Sequence, residues 1–241
     1  GQFWGNPLYN WPRHAEDGYS WWTMRLRKMS TLYDVIRIDH FRGFDSYYAI
    51  PGKDTTARNG VWRNGPGMEL FRAVEEKLGK PDIIVEDLGF LTPSVLQLVA
   101  DSGYPGMKVV QFAFDSRDDS DYMPHNYDKH CVVYTGTHDN DTILGWMKQA
   151  PKNSVKKAKE YLRMTKEEGY NWGMMCGAWM SSANLAVVTM QDLIGLGSSA
   201  RMNIPSTLGG NWTWRALPGQ INAPLANKLH HTTELYGRLR R

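Results

Sequence analysis

Three apolar runs in this sequence end in a carboxylate. "VIRIDHFRG" (35–43) carries Arg37, Asp39 and His40. "IIVEDLG" (83–89) carries Glu86, and "VVYTGTHDNDT" (132–142) carries His138 and Asp139. A carboxylate at the end of a buried run is costly unless it is paired or used. Two neighbouring carboxyl groups with opposite protonation needs are the apparatus of retaining glycoside chemistry. One attacks the sugar; the other protonates the leaving oxygen and then serves as base. A third carboxylate can stabilise positive charge on the ring and raise the proton affinity of the acid/base by like-charge repulsion. His40 and His138 flank two of the carboxylates and could bind sugar hydroxyls.

Side chains alternate along a strand, so Arg37 and Asp39 share one face while Ile36 and Ile38 share the other. Arg37 can therefore pair with Asp39, keeping it ionised and correctly turned. Two competing readings exist. A strand-end Asp often caps the following helix, and Asp87 and Asp141 are assigned that role. Asp39-His40 and His138-Asp139 could also supply mixed oxygen and nitrogen metal ligands. Adjacent strand residues point opposite ways, which argues against that, so no metal and no cofactor are expected.

The elements that must position these residues alternate between helix and strand. Trp22, Leu26, Met29 and Tyr33 recur at helical spacing before "VIRID". A long loop is expected over 51–67. Leu70, Phe71, Val74 and Leu78 mark a helix ended by Gly79 and Pro81. Thr92-Pro93 is a cap and first-turn pair opening a helix that runs to about Gly103. "MKVVQFAF" (107–114), "CVVYTG" (131–136) and "LAVVTMQD" (185–192) read as further strands. Their unbroken apolar runs predict a parallel sheet covered on both faces. Trp172, Met175, Trp179 and Ala183 form a helical stripe, and 223–240 reads as a closing helix.

Two α/β folds place functional residues at strand C-terminal ends, the doubly wound sheet and the TIM (β/α)8 barrel. No strand is followed by a glycine-rich phosphate fingerprint, "GLGSSA" (195–200) being the nearest, and this favours the barrel. Five strands are counted where eight are needed. The expectation is a single domain over 1–241 that forms the C-terminal portion of a barrel, strands 4–8.

Composition excludes other classes. The chain has 241 residues and a formal net charge of +3, with Lys and Arg scattered, so no nucleic-acid footprint appears. The charged run "KNSVKKAKEYLRMTKEE" (152–168) has an apolar stripe of Val155, Ala158 and Leu162 and reads as a solvated helix face. Cys131 and Cys176 make no disulfide framework; reduced thiols and a cytoplasmic location fit them best. No membrane span is visible. The chain opens at "GQFWGNPLY" without Met, so a preceding segment could carry a targeting signal, including one for a plastid.

Beyond these features, "RIDHFRG", "VEDLG" and "THDNDT" resemble the 4-alpha-glucanotransferases, the amylomaltase or disproportionating-enzyme family (glycoside hydrolase family 77). So do "NGVWRNGPG" (59–67), "GYPGMKVVQFAF" (103–114), "PHNYDKH" (124–130) and "ARMNIPSTLGGNWTWR" (200–215). The resemblance implies a (β/α)8 barrel that transfers α-1,4-glucan segments between malto-oligosaccharides by retaining double displacement. It implies Asp39 as nucleophile on strand four, Glu86 as acid/base on strand five and Asp139 as stabiliser on strand seven. Arg37, His40 and His138 match residues around the bond-breaking subsite. Trp4 and Phe112 match aromatics that contact glucose, and Asn203 matches a substrate-binding position. The chain departs from the family by beginning after strand three, so a preceding N-terminal barrel segment is expected to complete it. It departs again at Ser206, where the family more often has Gly. An α-glucan hydrolase on the same scaffold and an inactive glucan-binding fragment are the alternatives.

Overall fold

Residues 3–89, 91–114 and 121–239 are described by a computed structural model of the chain. They fall into two compact units, Gly1–Met107 and Lys108–Arg241.

The first unit opens with two helices. α1 (Trp11–Glu16) starts where Asn10 accepts from the Arg13 N–H, with Pro12 in its first turn. α2 (Ser20–Ser30) buries Trp22 and Leu26. β1 (Ile36–Ile38) follows. The expected loop at 51–67 is only partly a loop. β2 (Ser46–Ala49) and β3 (Val61–Asn64) pair antiparallel, Tyr48 opposite Trp62, so the segment is a hairpin with a long tip. β3 is exposed along its whole length, so no apolar alternation marks it in the sequence. α3 (Met68–Leu78) buries Leu70, Phe71 and Val74 and ends at Gly79, as its spacing predicts.

β4 (Ile83–Val85) pairs parallel with β1, Ile36 opposite Ile83 and Ile38 opposite Val85. Those four residues are buried and Arg37 is half-buried, so the alternation foreseen for "VIRID" is present. α4 (Pro93–Ser102) begins where the Thr92 hydroxyl accepts from the Val95 N–H and stops at Gly103, which is left-handed (φ 60°). Phe41, Phe44, Phe71 and Tyr104 interlock around the β1–β4 pair. Each fully buried ring of this kind stabilises the fold by roughly 1.5–3 kcal/mol.

β5 (Gly106–Val109) crosses into the second unit, where the sheet order is β5, β6 (Cys131–Tyr134), β7 (Leu185–Val187). β6 and β7 are parallel, Val133 opposite Ala186. Two expected strands are cut short. After β5 the chain winds into a 3-10 turn, Val110–Phe114. After β7, Thr189 caps a short helix by accepting from the Asp192 N–H. An apolar run alone does not separate a strand from a buried helical turn. Coverage on both faces also fails at β7, whose Leu185 is exposed.

In chain order the helices here are α5 (Ile143–Gln149), α6 (Lys152–Tyr161), α7 (Tyr170–Met180), α8 (Met190–Ile194) and α9 (Ala223–Leu235). α6 is the solvated helix foreseen, with Ala158 buried and Leu162 buried just past its end. α7 is apolar around its circumference and is the centre of the core. Its Met174, Met175 and Ala178 have no exposed surface, and Met123 and Met164 are buried in the same cluster. Cys131 is buried and Cys176 half-buried, and no disulfide joins them.

Candidate active site

In the first unit the site grows from the end of the β1–β4 pair. The ladder continues past the strands: Glu86 N–H donates to the Ile38 carbonyl (2.8 Å) and Phe41 N–H to the Glu86 carbonyl (2.9 Å). Glu86 therefore lies alongside Asp39-His40. Both Glu86 carboxyl oxygens are held by backbone: Oε2 accepts from His40 N–H at 2.8 Å and Oε1 from Leu88 N–H at 2.7 Å. His40 occupies the left-handed region (φ 49°). That conformation is uncommon for a residue with a Cβ and collects at functional sites. Here it turns the His40 amide onto Glu86.

Arg37 Nη2 reaches Asp39 Oδ1 at 3.3 Å, the pairing the sequence predicts. The setting of Asp39 differs from that of a carboxylate on a buried strand end. Its side chain is 82% exposed: the strand ends at Ile38, just before it, and the chain turns at His40, just after it. An ion pair this open is a weak tether. It orients Asp39 without burying it.

Asp87 and Asp141 are not helix caps. Asp87 is buried, and its Oδ1 accepts from Met107 N–H (2.8 Å); Thr92 caps the next helix. Gly106 is required beside it, since a Cβ there would collide with the Asp87 carboxylate. Asp141 accepts from Ser198 Oγ (2.7 Å) and Gln149 Nε2 (2.9 Å), while Thr142 caps α5.

In the second unit Asp139 follows β6. Its Oδ1 accepts from Asn203 Nδ2 at 2.6 Å, and its Oδ2 lies 3.4 Å from His138 Nε2. Asn203 N–H donates to the His138 carbonyl at 3.1 Å. Three residues picked from the sequence thus meet here. The His138 ring lies 5.2 Å from that of Trp212. Arg201 donates to the carbonyls of Asp139 and Asn203. Arg201 and Trp212 were not singled out beforehand. Both lie in "ARMNIPSTLGGNWTWR", the segment whose resemblance was noted, and that segment was the available signal.

A fourth carboxylate was missed. Asp192 ends the run "LAVVTMQD" and is buried. It accepts from Ile143 N–H (2.7 Å) and Thr135 Oγ (3.1 Å), tying the loop that carries Asp139 to α5 and α8. Burial raises its carboxyl above the ordinary aspartate value, against the pull of these hydrogen bonds.

Trp4, in the loop before α1, is 54% exposed. Phe112 is 37% exposed and packs edge-on against Tyr122 at 5.5 Å, while its neighbours Gln111 and Ala113 are buried. Neither ring is sequestered in a core. Among the described residues no group of three or more His, Cys, Asp or Glu side chains is arranged to hold a metal ion. Among them, too, no helix is long and apolar enough to cross a membrane.

The family pattern for 4-alpha-glucanotransferase, glycoside hydrolase family 77, matches residues 1–220. The chain is 48% identical over 239 residues to the 4-alpha-glucanotransferase of Clostridium butyricum, an alignment covering 99% of this chain and 49% of that protein. It is 45% identical over 243 residues to the chloroplastic/amyloplastic 4-alpha-glucanotransferase of Solanum tuberosum, covering 99% of this chain and 42% of that one. The solved amylomaltase from Streptococcus agalactiae in complex with acarbose superposes with a TM-score of 0.95 at 38% identity. That match covers 100% of this chain and 49% of the other. The chain spans about half the length of the curated relatives it matches.

Proposed function

The chain belongs to the 4-alpha-glucanotransferase family, and from that premise we propose that it carries the catalytic carboxylates of an enzyme transferring α-1,4-glucan segments between malto-oligosaccharides. Asp39 attacks the anomeric carbon and forms a covalent glycosyl-enzyme. Glu86 protonates the leaving oxygen, then takes a proton from the acceptor hydroxyl, so the anomeric configuration is retained. Asp139 stabilises the positive charge that develops on the ring. Arg37, His40, His138 and Asn203 hold the sugar at the bond-breaking subsite, and Trp4 and Phe112 cover apolar faces of glucose units.

The observation that carries this reading is the Glu86 clamp. Two backbone amides fix an acid/base candidate next to an open, Arg-oriented nucleophile candidate. A double displacement needs these two carboxyl groups roughly 5–5.5 Å apart. No metal or other cofactor enters the scheme. The acarbose complex of the Streptococcus agalactiae relative supports a sugar ligand.

In this reading residues 1–241 are the C-terminal portion of one (β/α)8 domain. β1 is strand four, β4 strand five and β6 strand seven. A preceding segment completes the barrel; the single strand partner of β1 among the described residues and the exposed Leu185 on β7 support this. The proposed location is the cytoplasm, or a plastid where a leading segment directs it there, as the name of the Solanum tuberosum relative supports.

The test is incubation with maltotriose, using the natural polypeptide that carries this segment. A ladder of longer maltodextrins, abolished by Asp39→Asn in a folded protein, is the expected result. Short products alone would replace transfer with hydrolysis, and full activity in Asp39→Asn would remove Asp39 from its role.

A further inference from the structure

The segment 200–203 is stitched at every residue. The Ala200 carbonyl accepts from Gln191 Nε2 (3.1 Å) and the Met202 carbonyl from Trp212 N–H (2.7 Å). Asn203 N–H donates to the His138 carbonyl. Arg201 is the unusual member. A guanidinium ordinarily finds a carboxylate. Here Nη2 donates to the Asp139 carbonyl and Nε to the Asn203 carbonyl, the latter at 2.9 Å. The side chains of those same two residues meet at 2.6 Å.

A rigid, planar donor therefore bridges the two backbones whose side chains form the Asp139–Asn203 bond. We infer that Arg201 is a positioning residue for Asp139. By fixing the two carbonyls against each other it sets the angle at which Asn203 meets Oδ1, and so leaves Oδ2 beside His138. Lysine carries three donors on one freely rotating ammonium and lacks the planar fork that fixes the angle between two carbonyls. The effect falls on the transition state, where Asp139 faces developing charge, more than on substrate binding. The inference rests on the stabilising role proposed for Asp139.

The experiment compares wild type, Arg201→Lys and Arg201→Ala in maltotriose disproportionation, in the natural polypeptide that carries this segment. Arg201→Ala is expected to lower kcat roughly 10–100-fold while KM moves less than about 3-fold. Arg201→Lys should recover only a small part of the loss. Methylguanidine at non-denaturing concentration should raise kcat of Arg201→Ala at least about 3-fold and leave wild type unchanged. An unchanged kcat in Arg201→Ala overturns the inference. So does a loss matched by a fall in melting temperature and insensitive to methylguanidine, because that pattern belongs to a purely structural residue. Should Arg201→Ala not fold, Arg201→Lys decides alone, and wild-type kcat there rejects the role. A wild type without transfer removes the underlying function as well, which an active wild type with an unaffected variant does not.

Discussion

Asn203 donates through Nδ2 to Asp139 Oδ1 at 2.6 Å, a short hydrogen bond to a carboxylate from a residue 64 positions away. The pair makes a direct prediction. Asn203→Asp would set two carboxylates face to face and invert the interaction. It should cost more than Asn203→Ala, by about tenfold or more in kcat/KM on maltotriose, since like charges at this distance cannot both ionise freely. Equal activity of the two variants would show that the bond does not matter in turnover.

Glu86 and Asp39 should separate in stability, although both are assigned to catalysis. Each Glu86 oxygen accepts a backbone N–H. Glu86→Gln turns one acceptor into a donor and leaves one amide facing it, at a cost of about 1–3 kcal/mol. Asp39 is open and pairs with Arg37 at 3.3 Å. Asp39→Asn should therefore change unfolding free energy by less than about 1 kcal/mol. Chemical denaturation of the two variants checks this, and a larger loss in Asp39→Asn would reverse the ranking.

Ser206 adopts φ 63° in an exposed turn. The left-handed conformation costs an L-residue roughly 1–2 kcal/mol, and glycine gives back about 0.5–1 kcal/mol of that in chain entropy. Ser206→Gly should leave the protein as stable as wild type or slightly more so. A drop beyond about 1 kcal/mol in thermal or denaturant unfolding would mean that the serine side chain supports the turn.

Asp192 gives a pH dependence with a defined sign. Its folded-state carboxyl is raised by burial, so the folded protein holds that proton more tightly than the unfolded chain. The stabilisation this provides is full below the unfolded aspartate value and is lost as pH rises through the folded one. Asp192→Asn can still accept from Ile143 N–H and can donate to Thr135 Oγ. It should flatten stability between the unfolded and folded aspartate values, as unfolding curves at a series of pH values would show. A variant with the wild-type slope would place the titration elsewhere.

The helix ends and the Arg37–Asp39 pairing were the legible parts of this sequence. Thr92-Pro93, Gly79 and Gly103 act as caps and stops because cap geometry is local and is written in one or two residues. Arg37 and Asp39 pair because a strand puts alternate residues on one face. The strand limits at 109 and 187 were not legible, since the apolar run goes on through Val110, Phe112 and Phe114 after β5 and through Val188 after β7. Asp87 and Asp141 look like caps in sequence. Their true partners, Met107 N–H and Ser198 Oγ, are 20 and 57 residues away, and such distant partners leave no local trace. Arg201 escaped notice because it binds carbonyls, which any residue can supply.

The core around α7 has a chemical consequence of its own. Met123, Met164, Met174 and Met175 are buried together, so thioethers line part of this unit's interior. A thioether takes up an oxygen atom to become a polar sulfoxide, which such an interior cannot accommodate. While the fold stays closed, Met174 and Met175 offer peroxide no surface; once it opens, their oxidation opposes closing again. The rate at which Met174 and Met175 oxidise is thus a clock for transient opening, and exposed Met24 and Met180 supply the internal standard for oxidant dose.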